Sequence, residues 1–157
     1  MDSNLGQVQL VMDIRTDELT SSTGDFVENP IDSETAFIGG TENADSIEGT
    51  DLSERIEGGA GNDSLVGGTG DDVLAGGSGA DLLIGGGGKD IFYVGAGARE
   101  DTIADFEFGS DRIGLAGGLT LDELSFVGNN VQLGDTVLVT LTKIEAAELT
   151  AEDFTTI

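Results

Sequence analysis

Four aspartates, Asp63, Asp72, Asp81 and Asp90, stand nine residues apart, and each lies five residues after the glycine that opens its own glycine-rich stretch. The chain has no histidine and no cysteine, so these carboxylates lack the usual partners for proton or thiol chemistry. What they can do is hold a hard cation. Calcium takes six to eight oxygen ligands at about 2.3–2.6 Å and accepts carboxylates and backbone carbonyls together. Glycine-rich turns bend tightly enough to aim several carbonyls at one centre. The overall charge points the same way: 31 acidic residues against 6 basic ones leave a formal net charge of −25. Such a charge opposes compaction unless something neutralises it. Nucleic acid and anionic membrane surfaces are the wrong partners electrostatically, whereas a multivalent cation is the right one.

The aspartates belong to a strict repeat. Units GGAGNDSLV (58–66), GGTGDDVLA (67–75), GGSGADLLI (76–84) and GGGGKDIFY (85–93) follow one another without a gap, and half of the 26 glycines fall between Gly58 and Gly88. A flexible glycine linker has no reason to keep aspartate at position six and Leu65, Leu74, Leu83 and Phe92 at position eight. Positions one to six form a turn in which glycine at one, two and four permits φ values that strain other residues. Carbonyls of Gly58, Gly61, Gly67, Gly70, Gly76, Gly79 and Gly85 are the expected backbone ligands beside the position-six carboxylates. Positions seven to nine form a short strand whose alternation sends position eight into a narrow apolar core, with positions six and seven outside or in the turns.

Two nonapeptides complete one coil, so units n and n+2 stack on the same edge. This pairs Asp63 with Asp81 on one edge and Asp72 with Asp90 on the other. Units GTENADSIE (40–48) and GTDLSERIE (49–57) extend the register backward. Asp45 prolongs the first edge. Glu54 prolongs the second more weakly, because its unit lacks glycine at positions two and four.

Around the array the composition changes. Residues 1–38 are acidic and aperiodic, contain the only proline, Pro30, and read as a partly flexible lead-in; Val8, Leu10, Val11 and Ile14 could form a short strand or helix. After Tyr93 the period breaks. Apolar runs at Leu124–Val127, Val131–Leu133 and Val137–Leu141, separated by Gly128-Asn129-Asn130 and Gly134-Asp135, predict antiparallel β-structure. Thr120-x-x-Glu123 and Thr150-x-x-Asp153 read as capping boxes. Residues 94–157 thus form a β cap that closes the open end of the repeat array (39–93). Phe92, Tyr93, Phe106 and Phe108 are expected to pack in the core or cap.

The repeat pattern resembles the RTX (repeats-in-toxin) family, exported from Gram-negative bacteria through type I secretion, over roughly residues 39–157. The resemblance implies an all-β fold, a right-handed parallel β-roll closed by a C-terminal antiparallel β cap. It implies Ca²⁺ ligation by Asp63, Asp72, Asp81, Asp90 and Asp45. The stretch Asp101-Thr102-Ile103-Ala104-Asp105-Phe106 is similar to the family's closing motif, which makes Asp101 and Asp105 ligands of the last ion, although Arg99 and Glu100 replace its usual Gly-Asn. The ending, residues 149–157, is similar to type I export signals. The expected setting is extracellular, with the type I secretion machinery as a partner.

Enzyme chemistry finds no support in the residues. No Ser-His-Asp triad, Cys-His dyad or HExxH zinc site can be built without histidine and cysteine, and neither a phosphate-binding glycine loop nor an EF-hand loop is complete. No apolar run approaches the roughly 20 residues of a membrane span, and the N-terminus lacks the basic and apolar regions of a cleavable signal peptide. The leading expectation is a calcium-binding module that folds when it meets Ca²⁺ after export. One alternative is the C-terminal accessory region of a secreted protease, lipase or polysaccharide-modifying enzyme, against which the chain opens on Met1 and an acidic leader. Another is a surface or matrix protein that binds polysaccharide or a cell-surface partner through calcium.

Overall fold

In a computed structural model the structure describes residues 35–156. The lead-in 1–34, including the Val8–Ile14 stretch, lies outside the described residues. The described chain is all β apart from three short 3-10 turns. Strands β1 (Ala36–Gly39), β3 (Glu54–Ala60), β5 (Val73–Ser78), β7 (Ile91–Val94), β9 (Arg112–Leu115) and β13 (Phe154–Thr156) form one sheet in that order. The second sheet runs β2 (Ser46–Glu48), β4 (Ser64–Gly68), β6 (Leu82–Gly86), β8 (Asp101–Ile103), β12 (Thr136–Leu141), β11 (Asn130–Leu133) and β10 (Leu124–Val127). From β1 to β9 successive strands therefore alternate between sheets, two nonapeptides per coil, as the period requires for a parallel β-roll.

The register follows the repeat. Ile38, Ile56, Leu74, Phe92 and Ile113 are paired in a row across one sheet, and Ile47, Leu65, Leu83, Ile103 and Leu141 across the other. All ten are buried. A strand of only a few residues can send just one or two side chains inward, so the core is thin, and its width is set by this single column from each sheet. Phe106 adds to it, tilted against Phe92 at 6.3 Å. Tyr93 departs from the expected core packing. As residue nine it points outward, where it lies under the Arg55 guanidinium at 4.9 Å.

The parallel coils do not stop where the nine-residue period stops. β8 pairs with β6 and β9 with β7, both parallel, and the chain returns through β12 and β13, which pair parallel with β8 and β9. Antiparallel pairing is confined to β10, β11 and β12. Both anticipated capping boxes are formed, at Thr120 with Glu123 and at Thr150 with Asp153. Among the described residues no helix is long and apolar enough to cross a membrane.

Because Leu74 sits in the middle of its column with no exposure, Leu74→Ala should cost about 2–5 kcal/mol in urea unfolding of the calcium-loaded protein. Leu82→Ala, on the exposed face of β6, should stay within about 0.5 kcal/mol.

Candidate metal centre

Each position-six acid sits at the junction between a turn and the strand after it, where the backbone of the coil below is one ladder spacing away. Its Oδ1 accepts the amide of the acid one coil earlier. On the first edge Asp63, Asp81 and Asp101 accept from the amides of Asp45, Asp63 and Asp81 at 2.8, 2.8 and 3.0 Å. On the second edge Asp72, Asp90 and Asp111 accept from Glu54, Asp72 and Asp90 at 2.8, 2.9 and 3.0 Å. The expected pairs, Asp63 with Asp81 and Asp72 with Asp90, are thus brought together. Although they lie in turns, these aspartates are buried: Asp63, Asp72, Asp81 and Asp90 are at most 3% exposed.

The second oxygen of each carboxylate is the informative atom. Oδ2 of Asp63, Asp72, Asp81 and Asp90 is buried and has no hydrogen-bond partner. A buried carboxylate oxygen without a partner is costly. Burial accordingly pushes the carboxyls up, to about 6 for Asp63 and Asp72 and about 7 for Asp90 and Asp101, and raises Asp81 and Asp111 as well. Neighbouring acids on the same edge add to it, Asp81 and Asp45 acting on Asp63 and Asp111 and Asp72 on Asp90.

The glycines make room beside these oxygens. A Cβ on Gly58 would lie 2.3 Å from Asp63 Oδ2 and 2.7 Å from the Gly76 carbonyl oxygen; on Gly67 it would lie 2.4 Å from Asp72 Oδ2 and 2.6 Å from the Gly85 oxygen. Position one therefore needs glycine for space and not for its φ, unlike the expectation. Position two does need a positive φ: Gly77 has φ 105°, and its Cβ would meet the Gly59 carbonyl at 2.1 Å. At position four, Gly61 and Gly79 share the positive φ, while Gly70 is excluded by space alone, its Cβ falling 2.1 Å from the Leu52 oxygen. Among the described residues no three acidic side chains converge on one point. A cation held here would be held by carbonyl oxygens with one or two carboxylates. Hard, oxygen-only and flexible, this donor set suits calcium, and the orphaned Oδ2 atoms mark where its charge is needed.

The closing motif is divided by the fold. Asp101 heads the first edge, after the loop from β7 to β8. Asp105 lies in the loop from β8 to β9, on the opposite edge, so the two cannot complete one common ion site. Both oxygens of Asp105 accept backbone amides, from Gly85 at 2.9 Å and Gly86 at 2.8 Å, where a further repeat would otherwise supply the partners. The residue that heads the second edge is Asp111, which sequence reasoning missed. Its signal was available: Asp111-Arg112-Ile113 repeats the Asp-x-aliphatic pattern of positions six to eight, but 21 residues after Asp90 instead of 18. A second rail was also missed. Asn62 Oδ1 accepts the Ala80 amide at 3.0 Å and Asp71 Oδ1 the Lys89 amide at 2.9 Å, so position five knits consecutive coils outside the acid ladder. At the other end, Asp45 and Glu54 join their ladders through their amides, while their carboxylates turn to Thr41 and Thr50.

This geometry agrees with what the chain is similar to. The model for the RTX calcium-binding nonapeptide repeat matches residues 39–74, 48–83 and 66–99. A solution structure of the AlgE6R3 subunit from the Azotobacter vinelandii mannuronan C5-epimerase matches with 31% identity over 73% of this chain and 79% of that one, at a TM-score of 0.56. The chain belongs to the RTX calcium-binding repeat family. The AlgE6R2 subunit of the same epimerase matches with 29% identity over 74% of this chain and 90% of its own length, also at 0.56. None of the curated proteins matches the chain. As RTX repeats, its nonapeptides bind calcium.

The raised carboxyls set a pH dependence. In the unfolded chain aspartate titrates near 3.9, whereas folding raises these groups to about 6–7. Between about pH 4 and pH 7 the folded state therefore binds more protons than the unfolded one, and stability falls as pH rises through that window. Calcium-stripped protein should gain far-UV β signal when taken from pH 8 to pH 5, and the calcium needed to complete folding should fall over the same change, because protons and calcium both stabilise the folded state. An unchanged or weaker β signal at pH 5 would contradict the burial of these carboxyls.

Proposed function

We propose that the chain is a calcium-gated folding module, exported unfolded and folded outside the cell, in which Asp63, Asp72, Asp81 and Asp90 are the carboxylate ligands and glycine carbonyls of the stacked turns complete each site. The observation that carries this reading is the set of four buried Oδ2 atoms without partners, one per complete repeat. Without calcium, like charges stack at every coil and the thin core has to meet chain entropy alone. A site held at ten times its dissociation constant adds about 1.4 kcal/mol. Four such sites add about 6 kcal/mol, comparable with the total stability of a small domain. Extracellular calcium modules bind at roughly 10⁻⁴–10⁻³ M, so cytosolic calcium leaves the chain open and external calcium closes it. Asp101 and Asp111 serve as the terminal rungs of the two ladders.

The C-terminal segment supports export before folding. β13 is an end strand of its sheet, paired with β9, and Phe154 packs against Phe126 at 6.0 Å. An export signal in residues 149–157 is legible to a secretion apparatus only while the chain is open; folding pairs its residues 154–156 with β9.

The similarity to repeat subunits of a polysaccharide-modifying enzyme favours one second reading, an accessory module that accompanies such an enzyme. Retention of the calcium-loaded chain on a polyuronate column, lost in chelator, would support it; flow-through in both conditions would leave the folding module alone.

A calcium titration followed by far-UV circular dichroism tests the main reading. The chain should pass from unfolded to β with calcium. Asp81→Ala should raise the midpoint about twofold, because three sites must then supply the stabilisation of four, while Asp122→Ala, on an exposed 3-10 turn, should leave it unchanged. The same folded β spectrum in excess chelator at neutral pH would refute calcium gating.

A further inference from the structure

The acids that head the stacked turns are of two kinds. In the four complete repeats Oδ2 has no partner. In the two N-terminal turns the acid is already satisfied by its own threonine. Thr41 donates its amide at 2.6 Å and its hydroxyl at 2.9 Å to Asp45 Oδ2. Thr50 donates its amide to Glu54 Oε2 at 2.9 Å and its hydroxyl to Oε1. The extra methylene of Glu54 lets both of its oxygens find a donor, and Glu54 is fully buried.

The cause is the residue at position two. In the complete repeats it is glycine with φ between 98° and 125° (Gly59, Gly68, Gly77, Gly86). Thr41 and Thr50 stand at that position and, among the described non-glycine residues, only Glu100 has a positive φ. β-branched threonine disfavours that conformation, and its turn instead presents an N–H and an O–H to the acid four residues on, as such side chains do in local turns. Two neutral donors thus stand where a complete repeat leaves a carboxylate oxygen for an ion.

We infer that Thr41 and Thr50 replace calcium in the two N-terminal turns, so that the chain binds four ions, headed by Asp63, Asp72, Asp81 and Asp90, and the coil 40–57 is a metal-independent end cap. The inference rests on the calcium reading and narrows it: Asp45 and Glu54 are rungs of the ladders and not ligands. The next coil's Gly58 carbonyl lies beside Asp45 Oδ2 as Gly76's lies beside Asp63 Oδ2, so the threonine donors, and not a missing coil, set these turns apart. The other end of the second edge is closed alike, where Asp111 Oδ2 accepts the Glu107 amide at 2.9 Å.

Native mass spectrometry of the full chain in calcium-containing volatile buffer, with circular dichroism to confirm folding, tests this. The wild type should carry four ions. Thr41→Gly should carry five, and Thr41→Ser, which keeps the hydroxyl and, as a non-glycine residue, still disfavours a positive φ, should remain at four. Thr50→Gly combined with Glu54→Asp should also carry five, and it decides the matter if Thr41→Gly does not fold. Five or six ions on the wild type, or four on both folded glycine variants, would overturn the inference while leaving the calcium reading in place. A folded wild type with no ions would overturn both.

Discussion

Everything in this molecule depends on stacking identical carboxylates above one another at the spacing of a parallel ladder. An 18-residue coil sets residue i over residue i+18, so a repeat with aspartate at position six produces a row of aspartates on each edge. One oxygen of each is used well, accepting the amide of the preceding acid at 2.8–3.0 Å. That bond needs the carboxylate buried in the turn. Burial in turn leaves the other oxygen facing neither water nor a donor in the four complete repeats. The backbone continuity of the roll and the electrostatic problem it contains are therefore one structure. A cation is the natural resolution because it answers several carbonyls and a carboxylate at once, which no single protein donor in a glycine turn can do.

The glycines are best understood from that requirement. At position one they are needed because the Oδ2 atom and, where a further glycine turn follows, the next coil's carbonyl come too close to admit a methyl group. At position two a left-handed backbone is needed as well. Where threonine takes position two, the turn still stacks, but it satisfies its acid locally. Side-chain donors, not a different fold, distinguish the end coil from the middle ones. Asp105 plays the corresponding part farther along, its two oxygens standing in for the repeat that no longer follows Gly85 and Gly86.

The core answers to the same geometry. One column of apolar side chains from each sheet is most of what these short strands bury, so the roll has little apolar surface to set against chain entropy. The antiparallel strands β10–β12 and the returning strands β12 and β13 add Val131, Leu138, Val139 and Leu141 to the buried set. They extend the apolar cluster beyond the last coil, where a bare solenoid end would be open. Stability is thus shared between an ion-dependent array and a conventionally packed end.

The sequence by itself determined the array: period, strand positions, the inward residues and the pairing of Asp63 with Asp81 and Asp72 with Asp90 all follow from a nine-residue repeat, because each unit carries its own turn and strand and neighbours merely add. It also marked the hairpin strands after Tyr93, whose turn residues act locally. Tertiary structure decided what a local period cannot carry. Asp111 joins the second ladder across an insertion that shifts it to 21 residues. Asp101 and Asp105, four apart in the chain, fall on opposite edges because a strand lies between them. Tyr93 meets Arg55, 38 residues earlier, only once β3, β5 and β7 lie side by side. Which carboxylate oxygens remain without a partner depends on contacts between coils 18 to 21 residues apart, and such contacts exist only once the coils are stacked.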